Sequence, residues 1–239
     1  MSYKYSNNII PLKIFQTWYT KKLPFKMAKT VNEIKDNNKE FEYFLFDDND
    51  CYNFIKDNFS NDVLQAYETL IPSAFKADLW RYCILYFYGG IYLDIKFKPV
   101  NNFKFIEMIN EEYFVKDIES SNNGIYNGLI ISKQRNEKLL NCIHKIVLHT
   151  KINYYGSTCW DVTGPTLLYL FFTQLERNLI KLKLNINTNK IQSVINIKNN
   201  KTILLEYESY RDEQKRTNPN QHYGILWKNR KIYKKKIET

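Results

Sequence analysis

Apolar and polar positions along this chain follow two periods, and the switches between them mark out its elements. Residues 9–18 are a largely apolar run that reads as a first strand, closing on the polar-aromatic tip Gln16-Thr17-Trp18. Residues 25–37 change to the spacing of an amphipathic helix. Residues 41–46 return to a strand pattern that ends at Asp47-Asp48, where acids before a helical stretch are read as N-caps rather than as metal ligands. Two short helices follow over 50–58 and 62–70, and Pro72 opens a third helix that is apolar on most sides. Gly89-Gly90 ends that helix, because a residue without Cβ can leave the right-handed region. The β-rich run Ile91-Tyr92-Leu93 comes next and delivers Asp94 at its tip.

This β-α-β-α-α-α-β order is the nucleotide-binding half of a doubly wound α/β sheet, and it predicts a mixed, mostly parallel sheet with helices on both faces. Further strands are expected over 112–118 and 125–132 around a polar turn at 120–124, then a helix over 136–150 and another over 166–175. One domain is expected over 1–227, followed by a basic tail over 228–239.

Three charges stand out against this pattern. Asp78 and Arg81 lie three residues apart inside the apolar helix, on one face. Buried charges survive only when paired, so a structural ion pair is one reading and a functional pair the other. Asp94 is either a solvated turn residue or an acid facing a ligand, since open α/β sheets bind ligands outside the carboxyl ends of their strands. His144 and His149 are five residues apart on the 136–150 helix, off a common face, and do not read as a metal pair.

Ala77, Asp78, Arg81, Tyr82, Ile84, Leu85, Tyr86, Gly89, Gly90, Ile91, Tyr92 and Asp94 together resemble the hallmark A-D-x-x-R-Y-x-I-L-Y-x-x-G-G-I-Y-x-D-x-D. It belongs to the DxD-motif glycosyltransferases of the yeast α-mannosyltransferase and animal α-1,4-galactosyltransferase type. The match covers twelve positions in an 18-residue window. Weaker likenesses extend it from Ile10 to Trp227: Gln16 and Trp18 in the first strand, Asn127-Gly128, Thr163-Gly164-Pro165, and His222 with Trp227. Read alone, Asn127-Gly128 is a bulge or turn, Gly164-Pro165 a helix-start turn, and His222 a surface residue.

The resemblance implies a GT-A fold and transfer of a hexose from a UDP- or GDP-sugar to a hydroxyl of a carbohydrate or glycoprotein, with retention. It implies that Asp78 and Arg81 orient the donor sugar and diphosphate, that Asp94 meets ribose or sugar hydroxyls, and that Trp18 stacks on the base. Gln16, Tyr92, Asn127, Gly164, Pro165, His222 and Trp227 would line the donor.

The chain departs from the family at the second acid of the DxD, which is Lys96, and at the serine before the last tryptophan, which is Leu226. An ammonium cannot ligate a metal, but it can bind phosphate as a point charge. Lys96 therefore implies a donor site without a required cofactor. Failing that, manganese or magnesium would sit between Asp94 and His222. A degenerate relative that binds the sugar nucleotide without turnover is the alternative.

Composition adds limits. Nineteen tyrosines in 239 residues favour a folded chain. A net charge of +10 invites a nucleic-acid partner, yet only residues 228–236 form a basic block and no zinc-finger or RNA-binding motif accompanies it, so none is expected. The same field would attract an anionic sugar nucleotide. Enrichment in Lys, Asn, Ile and Tyr suits an AT-rich genome, such as that of a large DNA virus or a protist. Four scattered cysteines without C-x-x-C suggest thiols in a reducing compartment. The first twenty residues lack a leader's apolar core, and residues 83–93 are too short to span a bilayer. Related eukaryotic enzymes are anchored Golgi proteins, but this chain is expected in the cytoplasm, or in a viral factory if viral.

Overall fold

In the computed structural model, residues 9–117, 124–217 and 221–234 are described; most of the turn expected at 120–124 and the last lysines of the tail lie outside them. The chain opens with β1 (Lys13–Thr17), α1 (Phe25–Asn37), β2 (Glu42–Phe46), α2 (Asp48–Asn58), α3 (Asn61–Thr69), α4 (Ser73–Tyr88) and β3 (Gly90–Leu93). These follow the pattern-based reading closely. Asp47 caps α2 through a reciprocal bond with Asp50, as its position before a helix suggested.

The middle of the chain forms β4 (Phe97–Pro99), β5 (Tyr113–Lys116), β6 (Ile125–Ser132) and α5 (Glu137–Lys151). After α6 (Trp160–Thr163), the helix expected over 166–175 is broken into α7 (Pro165–Tyr169) and α8 (Gln174–Asn178). The remainder is β7 (Leu182–Ile186), β8 (Gln192–Asn196), β9 (Lys201–Glu206), α9 (Tyr210–Thr217) and α10 (Tyr223–Lys228).

The strands join in one sheet of order β2-β1-β3-β6-β5-β7-β8-β9-β4. It is mixed, as expected, but not mostly parallel: three neighbouring pairs are parallel and five antiparallel. The reason lies after β3, where β5–β6, β7–β8 and β8–β9 are consecutive antiparallel pairs and β3–β6 and β4–β9 pair antiparallel across longer connections. Alternation sorts the central strands between two cores. Phe15, Tyr92 and Ile130 pack under α2–α7, while Ile14, Ile91, Leu93, Leu129 and Ile131 pack on the other face with Ile34 of α1 and Phe105 of a short 3-10 helix. Strand β6 is buried along its whole length, and it reads as a nearly unbroken apolar run for that reason.

The turn from α4 into β3 depends on its glycines. Gly89 and Gly90 have φ of +66° and +106°. A Cβ on Gly90 would lie 2.7 Å from the Lys13 carbonyl oxygen, so the strand starts flush against β1. At the other end, the start of the basic tail is docked rather than free: Ile232 is fully buried, and Tyr233 forms an antiparallel bridge with Leu70.

Candidate functional site

The site is assembled where α4, the end of β3 and β6 converge. Register carries Asp94 one step past Leu93, opposite Gly128, whose carbonyl accepts the Asp94 N–H at 2.8 Å. A side chain at 128 would collide there, since its Cβ would stand 2.3 Å from the Tyr126 hydroxyl and 2.6 Å from Asp94 Oδ2. The chain then turns, with the Phe97 N–H bonding back to the Asp94 carbonyl at 3.1 Å. That turn folds Lys96 toward the acid: Nζ lies 3.2 Å from Asp94 Oδ2, with 10% of the lysine side chain and 23% of the aspartate side chain exposed.

Asp94 is held through both carboxylate oxygens. The Tyr92 hydroxyl donates to Oδ1 at 2.8 Å, the Tyr126 hydroxyl to Oδ2 at 3.3 Å, and Arg81 Nη1 stands 3.6 Å from Oδ1. Burial by itself would raise this carboxyl, but Lys96 and Arg81 outweigh it and hold the pKa at about 2. Arg81 also lies over the Tyr92 ring at 4.3 Å, and its Nη1 donates to the Asn127 carbonyl at 2.7 Å.

Asp78 sits deeper. Its Oδ1 accepts from Asn127 Nδ2 at 2.9 Å and pairs with Arg81 Nη2 at 3.3 Å, while Oδ2 accepts from the Thr163 hydroxyl at 2.7 Å. Burial dominates here and pushes its pKa up to about 6, against the opposing pull of Arg81 and Thr163. The readings left open by sequence thus converge: Asp78 and Arg81 are an ion pair, and the pair is also the floor beneath Asp94. Asn127 lies inside β6, not in a turn, with its side chain on Asp78.

Other expected residues are placed differently. Gln16 is fully buried, accepts from the Tyr43 hydroxyl at 2.7 Å and reaches the Asp94 carbonyl at 3.4 Å. Trp18 is 7% exposed among Met27, Val31, Ile95, Tyr207 and Tyr210, which leaves little ring for a base to stack on. Its indole N–H is buried without a partner among the described residues. The Gly164 N–H donates to the Trp160 carbonyl at 3.1 Å, and Pro165 has no N–H, so Thr163 is the residue of this segment that reaches the site. Trp227 donates to the Tyr155 carbonyl at 2.6 Å and packs on the core.

The expected metal pair is not joined. His222 is exposed at the start of α10; its Nδ1 accepts from the Gly224 N–H at 3.1 Å, and its ring stacks on Tyr223. Burial and the charge of Arg211 lower its pKa. No group of three or more His, Cys, Asp or Glu side chains able to hold a metal stands together among the described residues. A divalent cation at Asp94 would have to displace the Lys96 ammonium, so this donor set does not fit one.

Sequence reasoning missed Tyr43, Tyr126, Tyr207, Tyr210, Glu206 and Arg211. Residues 201–206 hold a short apolar run, Ile203 to Leu205, but such a run does not reveal that Glu206 pairs with Phe97 of β4 beside the Asp94 turn.

Residues 24–115 match the family described as glycosyltransferase sugar-binding region containing DXD motif. An initiation-specific alpha-1,6-mannosyltransferase of Candida albicans is 32% identical over 46% of this chain and 32% of its own length. A mannosyl phosphorylinositol ceramide synthase of Saccharomyces cerevisiae is 28% identical over 73% of this chain and 46% of its own. The chain therefore spans less than half of these yeast relatives. A protein named as an uncharacterized glycosyltransferase of Acanthamoeba polyphaga mimivirus is 26% identical over 71% of this chain and 67% of its own. Among solved structures, PaToxG glycosyltransferase superposes with a TM-score of 0.52 at 15% identity, covering 67% of this chain and 68% of that one, and the expected GT-A fold stands.

The cytoplasmic placement does not stand. The relatives include yeast mannosyl phosphorylinositol ceramide synthases and mannosyltransferases, which act in the Golgi lumen. An anchor is separate in sequence from a catalytic fold, so the composition of the fold does not report its compartment. Nor do the thiols: Cys51, Cys83 and Cys142 are buried and Cys159 half-buried, so packing and separation account for their being free. Among the described residues no helix is long and apolar enough to cross a membrane.

Proposed function

We propose that this chain, which belongs to the glycosyltransferases whose sugar-binding region contains a DXD motif, transfers a hexose from a UDP- or GDP-sugar to a hydroxyl of a carbohydrate or glycoprotein, with retention. Mannose is the first sugar to test, because several relatives are named as mannosyltransferases. The reading is carried by the Lys96–Asp94 pair at the tip of β3, 3.2 Å apart over Arg81. It sets a fixed positive charge where the family places a cation between acid and diphosphate. Lys96 then serves as the counter-charge of the leaving diphosphate, and no divalent cation is required.

In this reading Arg81 and Asp94 orient the donor, and Asp78 holds Arg81 in place. Both oxygens of each carboxylate are engaged, Asp78 by Asn127, Arg81 and Thr163, and Asp94 by Tyr92, Tyr126 and Lys96. Neither is a free nucleophile for double displacement, which supports front-face attack with the departing phosphate accepting the acceptor's proton. Rate enhancement would rest on positioning and on neutralising the leaving group.

A thermal-shift panel of UDP- and GDP-sugars, in EDTA and in manganese, tests the proposal. Ligand at about 100 times its dissociation constant adds roughly 2.7 kcal/mol. Stabilisation by one sugar nucleotide in EDTA is expected. Stabilisation only with manganese would refute the role of Lys96. Binding without product would mark the degenerate alternative that the lysine substitution invites, and an inverted product would refute the mechanism.

A further inference from the structure

Residues 206–211 add a further cation beside the segment that carries Lys96. The Tyr207 N–H bonds to the Lys96 carbonyl at 3.0 Å, and Glu206 is the register partner of Phe97, so this segment is tied by its backbone to the turn that presents Lys96. Glu206 is buried, with 2% of its side chain exposed, and it pairs with Arg211 through Nε at 3.0 Å and Nη2 at 3.4 Å. A carboxylate so buried needs its partner, and the bidentate pair fixes the orientation of the guanidinium. Arg211 is not consumed by it: 48% of its side chain is exposed, and Nη1 takes no part in the pair.

Two neighbours locate it. Tyr210, whose ring lies 5.5 Å from the guanidinium, is raised by burial and then by the charge of Asp94. On the other side, His222 is lowered by burial and then by the charge of Arg211. Through Glu206, the register partner of Phe97, and Tyr207, bonded to the Lys96 carbonyl, Arg211 is anchored to the segment that flanks the Lys96 turn.

We propose that Arg211, oriented by Glu206, binds the diphosphate of the donor together with Lys96, so that the two side chains form a metal-free clamp on its two phosphates. This rests on the donor reading above. A planar guanidinium with a free edge suits a phosphate oxygen pair, whereas the Lys96 ammonium acts as a point charge.

Titration calorimetry of the whole chain in EDTA, with UDP, GDP and the corresponding nucleosides, tests the clamp. Arg211→Gln is expected to weaken the preferred nucleoside diphosphate at least tenfold, leave the nucleoside unchanged, and flatten the salt dependence of binding. If Arg211→Gln does not fold because Glu206 is left unpaired, the Arg211→Gln/Glu206→Gln double variant carries the same expectation. Unchanged diphosphate affinity, or equal losses for diphosphate and nucleoside, would overturn the clamp while leaving the donor reading intact. A wild type that binds neither UDP nor GDP overturns both.

Discussion

Asp78 and Asp94 share one arginine and meet opposite fates. Arg81 lies 3.3 Å from the first and 3.6 Å from the second, yet Asp78 is pushed up to about 6 and Asp94 is held at about 2. The difference lies in what else surrounds each. Neutral donors from Asn127 and Thr163 complete the Asp78 pocket, and they do not offset its burial. The Asp94 pocket adds a whole second positive charge, Lys96, and opens to solvent. The first pocket is built as a closed support, and the second as a charged surface that a ligand can reach.

The severest way to break the comparison is to remove the shared residue. Arg81→Ala leaves two acids short of a partner, and taking one member from a buried pair costs about 3–5 kcal/mol. Chemical denaturation should show that loss in full, because both pockets depend on the same guanidinium. A loss below about 1 kcal/mol would mean that Asn127, Thr163 and Lys96 suffice without it.

A smaller effect separates the pockets by pH. Asp78 is raised from 3.8, so its contribution is fully present below about pH 3.8 and disappears as pH rises through about 6. Asp94 is depressed from 3.8, so its contribution is present above about pH 3.8 and is lost as pH falls through about 2. Wild-type stability measured against Asp78→Asn should therefore fall between about pH 4 and 6, by on the order of 1–3 kcal/mol. Measured against Asp94→Asn, it should instead rise between about pH 2 and 4. Curves of the same sign would show that the pockets are not electrostatically distinct.

The smallest expected effect sharpens the role of Lys96. Lys96→Ala should weaken donor diphosphate about tenfold in EDTA, about 1.4 kcal/mol. Lys96→Asp restores the acidic pair of the family and should make donor binding depend on manganese, which a titration of the variant reads directly. Lys96→Ala with unaltered affinity would place the lysine outside the donor's reach.

How far the sequence carried differs between the two halves of the chain. Up to Asp94 nearly every element was legible, because its signals are local: the Asp47 cap, the proline before α4, the glycine pair after it, and the β-rich run of β3. Asp78, Arg81 and Asp94 were visible for the same reason, as charges that interrupt apolar runs. Beyond residue 180 the strands are no shorter than β1–β3, but each is defined by its partner rather than by its own pattern, so β7–β9 and α9 went unread.

Sequence by itself determined the α4–β3 unit and the acid at its tip, since helix propensity, glycine conformation and strand propensity act over a few residues. Only the tertiary structure decided that Lys96 folds back on Asp94, that Asn127 and Thr163 close over Asp78, that Trp18 is packed away from a base, and that Glu206, beside Phe97, orients Arg211. The turn that aims Lys96 is held by bonds to Gly128 and Tyr207, and the other partners lie tens of residues or more apart in the chain. A contact at that separation is set by sheet order and burial, and neither is encoded in the residues next to it.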